Sequence, residues 1–175
     1  TTEEFRNMID AGVFQEDDRL ELVDGEIVEM SPIGHRHAAC VRKLNFLLRS
    51  VGARALVDVQ NPLGISKDND FYPDVVLLRP RADNYAGGIP DAHDTLLVIE
   101  VADTTLRLER SVKKSRYAAA GATELWIVDL EGSRVWIHRN PLEGEYGEIL
   151  EARPGDVLKV PGMPDVEIPV ADLIS

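Results

Sequence analysis

Residues 95–130, TLLVIEVADTTLRLERSVKKSRYAAAGATELWIVDL, read as strand, helix, strand, and no other stretch limits the possible folds as much. Leu96, Leu97, Val98, Ile99 and Val101 form an apolar run too short to span a membrane. From about Thr105 to Ala120 the chain is rich in Leu, Arg, Lys and Ala, all good helix formers. Gly121 follows, where a helix C-terminus accepts a left-handed residue. Leu125, Trp126, Ile127 and Val128 then make a second buried strand. A strand that returns beside its predecessor through a helix pairs with it in parallel. Glu100 is the oddity, set inside the first apolar strand. A buried carboxylate is costly unless it is paired, protonated or bound to a cation, so this position predicts a partner.

The chain has 175 residues, enough for one domain over 1–175 with a full core. Its single cysteine, Cys40, excludes an internal disulfide and suits a reducing cytoplasm. With Val41 and Leu44 as neighbours, Cys40 reads as a core thiol rather than a nucleophile. No transmembrane run or secretory signal is visible, so a cytoplasmic location with no membrane partner is expected. The formal net charge of −12 argues against nucleic acid when taken alone. The charge is uneven, however. Residues 31–57 hold Arg36, Arg42, Lys43, Arg49 and Arg54 and no acid, and residues 107–116 hold five bases against Glu109. A basic face on an acidic body and ordinary solvated helix surfaces both fit that pattern.

Thr1 and Glu4 have the spacing of a capping box, and the helix they open ends near Gly12. Residues 19–30, RLELVDGEIVEM, form a hairpin about Asp24-Gly25. Glu21, on its first arm, reads as an outward-facing strand residue. A long helix is expected from about His35 to Val51, with Val41, Leu44, Leu48 and Val51 as its buried stripe. His35 and His37 are two apart, which excludes a zinc pair on one helical face. Taken singly, a histidine at such a helix start reads as a surface or capping residue. Residues 54–60 and 62–66 are short strands. Asp68, Asn69 and Asp70 read as a polar turn without the glycine and distal glutamate of a calcium loop. In FYPDVVLLR (71–79), Val75 to Leu78 form a buried strand whose start is marked by Pro73, with Asp74 at its mouth. Residues 81–94 are a loop rich in Gly, Asp and Pro, readable as a flap near a site or as a connector. RVWIHR (134–139) alternates as a hairpin partner for LWIVD. Residues 141–145 read as a turn, and short strands near 148–151, 157–160 and 166–168 complete an antiparallel edge.

If the strands bearing Asp74 and Glu100 are neighbours, their carboxylates converge. Two close carboxylates repel unless a cation lies between them, and oxygen-only ligands favour Mg²⁺ or Mn²⁺. Counting roughly 13 Å up the strand from Glu100 and roughly 12 Å back along the returning helix brings Lys113 level with Glu100. Glu109, Lys113 and Tyr117 share one helical face. The plain alternative for Lys113 is a surface ion pair with Glu109. Lys114 points about 100° away.

Pro-Asp before a hydrophobic strand, an acid on the next strand and then a lysine resemble the PD-(D/E)XK nuclease superfamily. The match is closer to its Uma-two family of restriction-endonuclease-like proteins. It runs through ELVDGEIVEMSP, His37, YPDVVLL, IEV, Lys113-x-x-x-Tyr117 and GATELWIVD. The resemblance implies an α/β fold with a mixed central sheet flanked by helices and an antiparallel edge. It implies that Asp74 and Glu100 bind Mg²⁺ or Mn²⁺ and that Lys113 orients or activates water. Glu21 would add a further carboxylate and Gln60 would line the site, with His37 matching a family histidine. The chain departs from the pattern in three places. Ala102 stands where the general pattern has a strand lysine, which shifts here onto the helix as Lys113. Glu109 stands where Asp is expected, and 102–105 read Ala-Asp-Thr-Thr instead of a Ser-Pro-Ser-Thr turn. The expected activity is metal-dependent cleavage of DNA. The competing expectations are a non-catalytic binding module on a nuclease scaffold, and an enzyme on a smaller phosphate ester with 81–94 as a lid. Nucleases of the resembled superfamily often work as dimers, and RVWIHR offers a pairing edge, so a homodimer is the expectation.

Overall fold

The computed structural model describes residues 1–15, 17–103 and 107–174, and the side chains of 107–111 lie outside that description. The expectations that fall on Thr104 and Thr105 and on the side chains of Arg107, Glu109 and Arg110 therefore lie outside the described residues.

Strand β1 (Leu20–Val23) and strand β2 (Glu26–Glu29) form the expected hairpin, with Asp24 and Gly25 both at positive φ in its turn. Helix α1 (Thr2–Asp10) precedes them and opens with the Thr1/Glu4 capping box. Helix α2 (His35–Leu47) continues into a 3₁₀ segment, Leu48–Arg54. Its inner face buries Cys40, Val41, Leu44, Leu48 and Val51, and burial pushes the Cys40 thiol up to about 12.

A six-stranded sheet forms the centre of the molecule. It contains β3 (Leu56–Asp58), β6 (Val75–Leu78), β7 (Thr95–Ala102), β8 (Glu124–Asp129), β9 (Arg134–Leu142) and β10 (Glu145–Ala152), in the order β10-β9-β8-β7-β6-β3. Only β7 and β8 run parallel, joined by helix α3 (Arg107–Ala119), and every other pair is antiparallel. The sheet is mixed, as the strand-helix-strand segment and the hairpin after it require. One face packs on α2 through Val75, Leu97, Ile99, Val101 and Trp126. The other carries Val76, Val98 and Leu125 against Tyr117 and Ala118 of α3.

A second sheet, ordered β2-β1-β5-β4, adds β4 (Leu63–Ser66) and β5 (Asn69–Phe71). The expected polar turn at 68–70 therefore holds at Asp68 and fails at Asn69 and Asp70. The turn lies one step earlier, and Asn69 and Asp70 are buried in β5. Arg6 of α1 holds Asp70 through two hydrogen bonds of 2.8 Å, which makes its burial tolerable.

Two further expectations need correction in the C-terminal third. The turn expected at 141–145 is confined to Glu143-Gly144; Glu145 opens β10, and Pro141 belongs to β9. It lies beyond Arg139, the last β9 residue paired to β8, so its missing N–H breaks no ladder there. Segments 157–160 and 166–168 do not extend the central sheet. They lie in a separate pair, β11 (Val157–Val160) with β12 (Met163–Pro169), followed by the short helix α4 (Val170–Ile174). Because β9 is paired on both sides, RVWIHR is no free edge, and the physical ground for the expected dimer contact disappears.

Candidate active site

The acid-bearing strands are neighbours. Val75 of β6 pairs antiparallel with Ile99 of β7, and one step further along that register sets Asp74 opposite Glu100 on the same face. Such cross-strand positions bring Cβ atoms to about 4.5–5.5 Å. Both carboxylates are buried.

Asp74 is held by three donors. The Val101 backbone N–H reaches its Oδ2 at 2.8 Å, His37 Nε2 lies 2.9 Å from the same oxygen, and Gln60 Nε2 reaches Oδ1 at 3.2 Å. Burial works against ionisation here. The hydrogen bonds from His37, Val101 and Gln60 outweigh it and hold the carboxyl below its ordinary range. Because an ionised carboxylate only accepts, His37 meets it by donating from Nε2–H. The opposite ring nitrogen, Nδ1, is buried without a partner among the described residues. Gln60 adopts a left-handed backbone, φ 53°, at the end of β3, and its N–H is bonded to the Pro73 carbonyl. That backbone conformation is uncommon for a non-glycine residue and marks a position held by its surroundings.

Glu100 meets a different environment. Tyr117 donates to its Oε1 at 2.7 Å, and Lys113 Nζ lies 3.2 Å from the same oxygen. Lys113 also reaches Glu21 Oε1 at 2.8 Å and stands 5.1 Å from the Phe71 ring centroid. Burial pushes the Glu100 carboxyl up. Lys113 opposes that shift without cancelling it, while Asp74 and Glu21 add to it. Burial alone would discharge Lys113, but Glu100 and Glu21 together hold it above the ordinary lysine range. Tyr117 is pushed well up by burial and by the same two acids, so it remains a phenol and a donor.

Glu21 is thus not the outward-facing residue that its strand alone suggests. It is buried, accepts from the Tyr72 backbone N–H at 2.8 Å, and pairs with a lysine 92 residues away. His37, likewise, is no free surface residue. Lys114 points elsewhere, 3.7 Å from Glu145. Asp74, Glu100, Lys113, Glu21, His37, Gln60 and Tyr117 accordingly meet around one end of β6 and β7. Sequence reasoning missed Phe71, the Val101 N–H and the Tyr72 N–H. Backbone donors leave no trace in residue type, and Phe71 carried no signal beyond its nearness to Pro73-Asp74.

The 81–94 loop does not belong to this site. It leaves β6 beyond Leu78, at the opposite end from Asp74. Tyr85 pins it by donating to the Arg79 carbonyl at 2.9 Å, so it reads as a connector.

Two of the three carboxyl groups here, Glu21 and Glu100, share the Lys113 ammonium, while Asp74 is held by His37, Gln60 and the Val101 N–H. Among the described residues, no three His, Cys, Asp or Glu side chains form a complete ligand set. Asp74 and Glu100 offer a partial, oxygen-only set, of the kind Mg²⁺ uses when waters and phosphate oxygens complete its shell.

A family model described as "Uma2: Putative restriction endonuclease" matches residues 2–171. The crystal structure of a "putative nuclease belonging to DUF820" from Anabaena variabilis ATCC 29413 superposes with a TM-score of 0.80. It is 18% identical, and the match covers 99% of this chain and 97% of that one. At that identity the likeness establishes the fold alone. No curated protein sequence matches the chain. Among the described residues no helix is long and apolar enough to cross a membrane.

Proposed function

The chain belongs to the Uma2 family, and from that membership we propose that it is a divalent-metal-dependent nuclease that hydrolyses phosphodiester bonds of DNA. The observation that carries the reading is the placement of Asp74 opposite Glu100 with Lys113 Nζ 3.2 Å from Glu100. Asp74 and Glu100 would hold Mg²⁺ or Mn²⁺, with Glu21 as an additional carboxylate. When bound, such an ion polarises a phosphate oxygen and lowers the pKa of a coordinated water.

The residues around it have separable tasks. His37, Gln60 and the Val101 N–H keep Asp74 ionised and fix its orientation. Lys113 stays charged despite its burial, so it stabilises negative charge developing on the phosphate rather than accepting a proton. Tyr117 positions Glu100 by hydrogen bonding. Basic side chains of α2 and α3 receive the nucleic-acid backbone.

Nicking of supercoiled plasmid with Mg²⁺ or Mn²⁺ tests this. Asp74→Asn should abolish cleavage, and Lys113→Met should slow it by about 10²- to 10³-fold. Equal cleavage by wild type and Asp74→Asn would assign the activity to a contaminant or another site. A second reading is favoured by Lys113, which already neutralises two of the three acids, and by the net charge of −12. On that reading the chain is a non-catalytic nucleic-acid or partner-binding module on a nuclease scaffold. Metal binding in calorimetry without cleavage of any nucleic acid would select it.

A further inference from the structure

We infer that the outer face of α2 is a docking platform for single-stranded nucleic acid, with Phe46 stacking on a base and Arg42 and Arg49 contacting the phosphates on either side. The inference rests on the nuclease reading and names the form of substrate that leaves the site along this helix.

The helix has two faces of opposite character. Cys40, Val41, Leu44 and Leu48 are buried. Ala39, Arg42, Phe46 and Arg49 recur three and four residues apart and are exposed, Phe46 by 66%. A single exposed phenylalanine is ordinary on a protein surface. Its setting here is not, because it stands one turn from an arginine on each side. Arg49 already stacks toward it, with its guanidinium carbon 5.7 Å from the ring centroid. Elsewhere arginines of this segment are neutralised, Arg36 by Asp103 and Arg54 by Asp165. Arg42 and Arg49 have no such carboxylate among the described residues.

Charge decides between occupants. Residues 31–57 contain no acid, and Arg42 and Arg49 flank Phe46 with no carboxylate paired to either among the described residues, so this face suits a polyanion. The alternation of cation, aromatic ring and cation fits the alternation of phosphate, base and phosphate along a strand, as in single-strand-binding grooves. A duplex would keep its bases stacked and out of reach of Phe46. The geometry also connects the face to the site. His37, in the first turn of α2, touches Asp74, and Phe46 lies nine residues on, about 13.5 Å along the axis. That distance is about four nucleotides of helical rise.

Fluorescence anisotropy of a labelled oligo-dT and of a duplex of equal length, both with wild-type protein in EDTA, tests the platform without cleavage. Phe46→Ala should weaken oligo-dT binding by about 5- to 100-fold, the range found for removal of one stacking ring. Duplex binding should change less than about twofold, and Phe46→Tyr should bind as wild type. Arg42→Gln and Arg49→Gln should each lower the slope of log affinity against log salt by about 0.7. No wild-type binding to oligo-dT, or no effect of Phe46→Ala on it, would overturn the platform. Equal losses on both oligonucleotides would do the same. So would a wild-type dimer in sedimentation that Phe46→Ala dissociates, since the face would then bind a second copy of the chain. Phe46 is exposed, so its variants should melt like wild type. Plasmid cleavage, assayed separately, tells the two readings apart: cleavage with no Phe46 effect removes the platform alone, and oligo-dT binding without cleavage removes the nuclease reading alone.

Discussion

Lys113 is the residue on which the electrostatics of the site turn. It is the cation shared by Glu21 and Glu100, and all three side chains are almost fully buried. Removing one partner of a buried ion pair leaves uncompensated charge, which typically costs about 3–5 kcal/mol. Lys113→Met should therefore destabilise the fold by an amount in that range at neutral pH. The pH dependence has a definite sign. The Glu100 carboxyl is already raised in the folded state, chiefly by burial, even with Lys113 opposing the shift. A raised carboxyl favours folding below its unfolded value, and that contribution is lost as pH rises through the folded value. Without Lys113 the folded value climbs further and the loss grows. The stability gap between wild type and Lys113→Met should thus be widest near neutrality and narrow toward mildly acidic pH. Urea unfolding across that range measures it, and a gap independent of pH would show that Glu100 does not carry the effect. Asp74 behaves oppositely, since its lowered carboxyl stabilises the fold above the ordinary carboxylate range and loses that contribution as acid protonates it. The meeting of Glu100 and Lys113 was legible in the sequence because a strand and its returning helix measure distance along the chain. Glu21 was not. Alternation along β1 says which residues share a face, but not that α3 places a lysine over the second face.

At the scale of elements, α3 must end where β8 can begin. It does so with a left-handed glycine. The Gly121 N–H bonds the Ala118 carbonyl at 3.1 Å and the Ala122 N–H bonds the Tyr117 carbonyl at 3.0 Å, the pair of bonds of a Schellman ending. Gly121 sits at φ 85°, and a Cβ there would stand 3.2 Å from His93 Cε1. Gly121→Ala should lower stability by about 1–2 kcal/mol, which for a chain of this size is a Tm decrease of roughly 2–8 °C. A thermal melt decides it, and an unchanged Tm would mean that the turn relaxes freely. The same variant tests the site at a distance, because Lys113 and Tyr117 lie within the last two turns of α3. Such punctuation was readable in advance: Asp24-Gly25 fixed the hairpin and Gly121 fixed the crossover. Strand β5 was misread for a physical reason. Its Asn69 and Asp70 look like turn residues locally, and only Arg6, 64 residues away, makes Asp70 a tolerable strand residue. The pairing of β11 with β12 likewise depends on packing against the α2 face of the core rather than on anything in their own alternation.

For the whole molecule, the question is how an acidic protein could hold a polyanion. The chain carries 31 acids against 19 lysines and arginines, and many of those cations are already committed. Arg6, Arg54, Arg81, Arg116, Arg134 and Arg139 are each paired with a carboxylate, as are both adjacent lysines of α3. Residues 31–57 and 107–116 together carry +9, leaving −21 on everything else. Among the described residues, the cations left for binding are then chiefly Arg42 and Arg49 on the outer face of α2 and its 3₁₀ extension, with the rest of the surface repelling the strand. Each phosphate neutralised contributes about −0.7 to −0.9 to the slope of log affinity against log salt. Three or four contacts therefore give a slope of about −2 to −4, shallow for a nucleic-acid-binding protein. Titrating a labelled oligonucleotide in EDTA between about 50 and 200 mM salt measures it directly. A slope steeper than about −6 would require more phosphate contacts than this face can supply, and would move the binding face elsewhere on the molecule.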